Sequence, residues 1–210
     1  MYSSWRGKSL KKQPAHQRQQ RHFNCGLQKS SGKSFVLCVD LEFNISHDNK
    51  LNNKEVVEIG VVLIDKVGCV IDRFSSFCSP SYGCVTSETL EFINVERQLV
   101  ESAPDLKVVL KNVDDHFSKY LDDVDYWCSW GDMDLNVIQF QMMRMGLASK
   151  IFGRIKYVNA QDRYDHQQNN YRRTSLSNAI FRHGLAFRGD AHRALSDADA
   201  LGSLVKLWVL

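Results

Sequence analysis

The 210-residue chain predicts an α/β domain, a mixed sheet flanked by helices on both faces. Three observations carry this. The run Phe35-Val36-Leu37-Cys38-Val39 is apolar at every position, the pattern of a strand covered on both sides. Two further apolar runs, 56–65 and 70–78, meet at a turn containing Gly68 and read as an antiparallel hairpin. Beyond them, helical spacings alternate with short strand-like runs, an order that leads to parallel strands and helices on both faces. An apolar content of 43% over this length allows a sizeable core.

The elements follow in order. Residues 1–33 hold eight Lys and Arg and no Asp or Glu, with Gln- and Ser-rich stretches and no apolar period. They read as a basic tail, disordered when alone, that serves as an arm for phosphates, a transit sequence or a solubilising extension. Residues 34–210 form the single domain and carry 19 basic against 24 acidic side chains, so the overall +3 hides a basic tail on an acidic domain. An acidic domain that handles a polyanion needs cations, and metal-binding carboxylates meet that need. Strand one spans 35–43, and a polar loop precedes the hairpin. A short helix is expected near 87–92, and a longer one opened by Pro104 runs through Tyr120, with Leu106, Val109, Leu110, Val113 and Phe117 at helical spacing. Strand four is 126–130, closed by Gly131. The next helix has Asp132 as its cap and Gly146 as its end. A fifth short strand is 156–160, a loop covers 161–174, and helices 176–183 and 191–210 complete the chain, the last capped by Asp190.

Neither a secretory apolar segment nor a run approaching the ~20 apolar residues of a membrane span is present, so a soluble protein is expected. The cysteines at 25, 38, 69, 78, 84 and 128 show neither Cys-x-x-Cys nor zinc-finger spacing with His. They read as reduced structural residues in the cytoplasm or another reducing compartment, with organellar targeting by the basic N-terminus left open.

Against this frame, several acids sit where apolar residues are expected. Asp40 and Glu42 share one face at the end of strand one, because strand side chains alternate. Two carboxylates that close repel each other and lose hydration unless a cation sits between them. Asp134 lies on the helical stripe of Val137, Ile138, Gln141 and Met145 and so points inward. Asp197 shares a stripe with Ala194, Leu201, Leu204, Val205 and Trp208, whereas Asp199 is turned toward water. These acids can converge only if strand one is central and the helices of Asp134 and Asp197 pack against the same sheet face.

The ordered set Asp40-x-Glu42, Glu58-Ile59-Gly60, Trp130-Gly131-x-x-Asp134 and His192-x-x-x-x-Asp197 resembles the DEDDh branch of the 3'-to-5' exonucleases. Its Ser129-Trp130-Gly131 context is similar to the subgroup with KapD and the exonucleases of histone-mRNA and small-interfering-RNA 3' ends. The similarity covers about residues 35 to 208. It implies a ribonuclease-H-like five-stranded fold and hydrolysis with two Mg²⁺ or Mn²⁺ ions per site. It also implies Asp40, Glu42, Asp134 and Asp197 as metal-binding catalytic residues and His192 as general base. The partner it implies is single-stranded nucleic acid, RNA favoured over DNA. Alternatives are a DNA-trimming or proofreading enzyme, or a regulator that binds nucleic acid without turnover. Substrate-facing candidates are Phe43 and Asn44, which follow the first motif, and Arg163, Tyr164, Arg172 and Arg173, whose aromatic and basic character suits bases and phosphates. Where many relatives carry Thr-Gly-Ile, this chain has Phe92-Ile93-Asn94-Val95, which alters the expected grip on a terminal nucleotide.

Overall fold

The computed structural model describes residues 35–44, 50–186, 189 and 192–207, all within the compact unit Ser31–Leu210. The basic tail, Cys25, the Asp190 cap and Trp208 lie outside the described residues.

Three strands open the domain: β1 (Phe35–Asn44), β2 (Glu55–Asp65) and β3 (Val70–Phe77). They are followed by β4 (Val124–Ser129) and β5 (Tyr157–Asn159). The sheet order is β3-β2-β1-β4-β5, with β1 antiparallel to β2 and parallel to β4. The expected mixed five-stranded sheet is therefore present, and β1, apolar at every position from Phe35 to Val39, is central and covered on both faces.

Odd-numbered residues of β1, Leu37, Val39 and Leu41, join a core with α3 (Leu106–His116) and α4 (Met133–Met145) through Leu106, Val109, Val137 and Ile138. Even-numbered Val36 and Cys38 join Ala198, Leu201 and Val205 of α8 (Ala194–Val205). The helices bearing Asp134 and Asp197 thus pack on opposite faces of the sheet, which corrects the same-face expectation. The sequence pattern does not distinguish the faces of a strand that is apolar on both.

Boundaries differ for local reasons. The carboxylate of Asp105 accepts the Val108 N–H at 2.9 Å, so α3 starts one residue after this cap instead of at Pro104. It ends at His116, before Tyr120, in a tight turn in which Tyr120 N–H meets Phe117 O. Asp132 occupies the position before α4 but makes no capping bond, while Gly146 ends that helix at φ 63° as expected. Helices α1 (Ser87–Ile93) and α7 (Leu176–Arg182) match expectation, whereas α2 (Arg97–Glu101), α5 (Lys150–Arg154) and α6 (Ala160–Gln167) were not foreseen. Two of these take their caps from short polar side chains: Ser149 for α5 and Asn159 for α6. Asp199, expected to face water, is partly buried, and its carboxylate pairs at the surface with Arg73 Nε of β3 at 3.0 Å. Among the described residues no helix is long and apolar enough to cross a membrane.

Candidate active site

The ladder between β1 and β4 ends at Cys38 and Cys128, whereas β1 continues beside β2 to Asn44. Past that point the edge of β1 that faces β4 has no strand partner. Leu41 N–H, on this edge, donates instead to Asp134 Oδ1 at 2.9 Å. The gap at the end of β4 therefore lets Asp134, from a helix on the far face, reach the site. Its own N–H also favours its charged form, while the neighbouring Ser129 hydroxyl donates to Gly131 O at 2.9 Å.

Asp40 and Glu42 stand on the α8 face of β1, where Asp197 occupies the first turn of that helix. One carboxylate oxygen from each of Asp40, Glu42 and Asp197 lies within 4.8 Å of the other two. Glu42 and Asp134 are buried, and Asp40 and Asp197 are partly so. The electrostatics follow from burial and like charge. Burial, then Asp134, Glu42 and Asp197, push the Asp40 carboxyl well above the usual range. Burial and the Asp197 charge push Glu42 up to about 8. Burial lifts Asp134 to about 7 against its hydrogen bonds, and burial also raises Asp197 against the opposing effect of His192.

The last helix starts at Ala194, three residues after the expected 191, because His192 before it has a left-handed φ of 60° that interrupts the helical path. The backbone N–H of His192 donates to the Asp197 carboxylate. Its ring lies against Phe92 of α1, with centroids 4.1 Å apart and planes inclined by 36°. The His192 pairing makes Phe92 a neighbour of the site, which the sequence flagged only as a departure from the family pattern.

The substrate-facing candidates divide. Arg172 and Arg173 are exposed, and Arg173 Nη2 stands 3.7 Å from Asp162 and 3.9 Å from Asp132. Arg163 is half-buried near Tyr126. Phe43 is half-buried against the core. The Asn44 amide donates to Cys84 O and accepts from Thr86 N–H and Thr89 Oγ1, so it anchors the start of α1. Tyr164 is a correction: it lies in α6, not a loop, and is buried among Ala179, Ile180, Ala200 and Leu204, with no ring face open to a base. Its alternation with Arg reflects the two sides of a helix.

Sequence reasoning gave no role to Glu58, although a charged residue inside the apolar run 56–65 was the available signal. The structure buries it and pairs it with Arg193 at 3.0 Å. Gly60 on the same strand has an equally local reason: a Cβ there would lie 2.2 Å from the Ala194 carbonyl carbon, so only glycine admits the start of α8.

The donor set fits a hard divalent cation. Its groups are all carboxylate oxygens, they are mutually close, and their raised proton affinities show charges that lack compensation from the protein alone.

No family model matches the chain, and no curated protein matches its sequence. Solved structures match its fold. The nuclease domain of 3'hExo, described as a DEDDh family member bound to rAMP, is 18% identical with a TM-score of 0.74, covering 85% of this chain and 93% of that one. Cell-death related nuclease 4 is 17% identical with a TM-score of 0.68, covering 82% of this chain and 62% of that one. Exonuclease I of E. coli in complex with a dT13 oligonucleotide is 13% identical with a TM-score of 0.64, covering 83% and 40%. A full-length 3'-exonuclease matches with a TM-score of 0.74 at 19% identity, and the chain spans 60% of its length. The described domain thus has the mixed five-stranded fold seen in these nucleases.

Proposed function

We propose that the chain is a metal-dependent 3'-to-5' exonuclease that releases nucleoside 5'-monophosphates from single-stranded 3' ends, RNA in preference to DNA. The observation that supports this most is the cluster of Asp40, Glu42 and Asp197 at the end of β1, with Asp134 reaching the same strand end through the gap beyond β4. A protein that only binds nucleic acid gains nothing from uncompensated carboxylates, since they repel phosphate.

A phosphodiester resists hydrolysis because its oxygens repel the incoming nucleophile. Mg²⁺ or Mn²⁺, held by Asp40, Glu42, Asp134 and Asp197, would offset that charge on the attacking and leaving oxygens. The chain's own groups do the rest. Asp134, tied to Leu41 N–H, keeps its carboxylate fixed on the β1 end. His192 takes the proton of the attacking water on a ring nitrogen. The water oxygen bonds to phosphorus as the bond to the O3' of the preceding nucleotide breaks, and O3' takes a proton from solvent, so a nucleoside 5'-monophosphate leaves and the shortened chain ends in a 3'-hydroxyl. The exposed Arg172 and Arg173 would meet phosphates of the substrate. The basic tail 1–33 would add a second, sequence-independent grip.

The test is degradation of 5'-labelled, single-stranded RNA and matched DNA with Mg²⁺ or Mn²⁺. A ladder shortening from the 3' end is expected for the wild type, faster on RNA, and absent for Asp40→Ala and His192→Ala. Equal rates on both polymers remove the RNA preference. An inactive wild type, or variants as active as it, removes the enzyme assignment.

A further inference from the structure

Glu58 lies mid-strand in β2 between the fully buried Val57 and Ile59 and is itself only 1% exposed. Its carboxylate receives a fork from Arg193: Nε to Oε2 at 3.1 Å and Nη2 to Oε1 at 3.0 Å. The Ala194 N–H, one of the first free donors of α8, points to Oε2 at 3.5 Å. Arg193 itself makes no side-chain capping bond, so a carboxylate from a strand replaces a local cap. Two residues along, Gly60 takes the Ala194 backbone against β2, and the guanidinium lies 5.0 Å from the centroid of the Phe77 ring. The junction that starts α8 is therefore fastened to β2 through both side chain and backbone. His192 comes immediately before this junction and Asp197 one turn after it.

A buried ion pair adds little stability over apolar residues of equal volume, but a two-pronged fork fixes distance and angle together. We propose that Glu58 and Arg193 are positioning residues, an ion-pair clamp that sets where the His192 imidazole and the Asp197 carboxylate stand relative to Asp40 and Glu42. The inference rests on the exonuclease reading, and it assigns the pair no contact with substrate.

Arg193→Lys tests it, because the charge that neutralises Glu58 is kept and the fork is lost. Degradation of a 5'-labelled oligonucleotide at saturating Mn²⁺ is measured together with Mn²⁺ affinity and melting temperature. The expected result is a kcat lowered about tenfold with KM within about twofold, and Mn²⁺ bound severalfold more weakly. Combining it with Glu58→Gln is expected to cost no more than the worse single variant, because both remove the same clamp. An unchanged kcat, additive losses, or a rise in KM alone overturns the proposal, the last by making Arg193 a substrate contact. If Arg193→Lys melts below the assay temperature, Glu58→Gln takes its place with the same expectations. Should the wild type cleave nothing, the exonuclease reading falls. The Mn²⁺ affinity ratio then decides the clamp, with equal affinities refuting it.

Discussion

Two sets of buried acids in this domain differ in what faces them. Asp114 accepts from Ser149 Oγ at 2.9 Å, Lys150 N–H at 2.6 Å and Ile151 N–H at 3.1 Å. Glu55 accepts from the N–H groups of Ser81 and Tyr82, and Asp165 from Thr174 N–H and the Asn170 amide. In Asp165 burial raises the carboxyl, but these bonds outweigh it and hold it below the usual range. At the end of β1 the balance is reversed: Asp40, Glu42 and Asp197 face one another, and burial with like charge raises their carboxyls above the usual range. Burial of an acid is therefore no mark of a site. A buried acid whose neighbours are other acids is.

The largest effect that sharpens this contrast is on activity. Asp40→Asn is expected to reduce degradation by about 10³-fold or more while the metal-free protein melts no lower than wild type, because a repelling charge is gone. A melting point well below wild type would class Asp40 with the structural acids. Next, Asp114→Ala is expected to lower stability by roughly 2 to 4 kcal/mol, read as a fall of several degrees in Tm, because it leaves buried donors at the start of α5 unmet. Its specific activity per folded molecule should be unchanged.

A third outcome concerns pH. The cluster's folded-state carboxyls titrate above their unfolded range, with Glu42 near 8 and Asp134 near 7. Between about pH 4 and pH 8 the folded chain then holds more protons than the unfolded one, so metal-free stability falls as pH rises through that window and levels off above it. Thermal melts with a chelator should show this fall, on the order of a few kcal/mol in all, and saturating Mn²⁺ should abolish it. A flat profile without metal would mean the carboxylates are already compensated. The smallest effect is Arg173→Ala: a rise in KM of about two- to threefold at low salt that vanishes as salt is raised. A salt-independent change would point to a role other than phosphate attraction.

Much of this was legible in the chain. An all-apolar run names a central strand, alternation puts Asp40 and Glu42 on one face, and helical spacing turns Asp134 inward, since each of these is a local periodicity. Short helices such as α5 and α6 escaped because five and eight residues, at most little more than two turns, carry too little periodicity to register, and Tyr164 in α6 reads as loop for the same reason. The roles of Glu58 and Arg193 escaped because the pair joins positions 135 residues apart. Nothing in either neighbourhood announces the other.

By itself, then, the order of residues determined the strands and the inward acids, because steric and periodic constraints act within a few residues. Only the tertiary structure decided that α4 and α8 lie on opposite faces and that their acids nevertheless meet. That meeting depends on where β4 stops relative to β1, a register set by packing across the whole sheet.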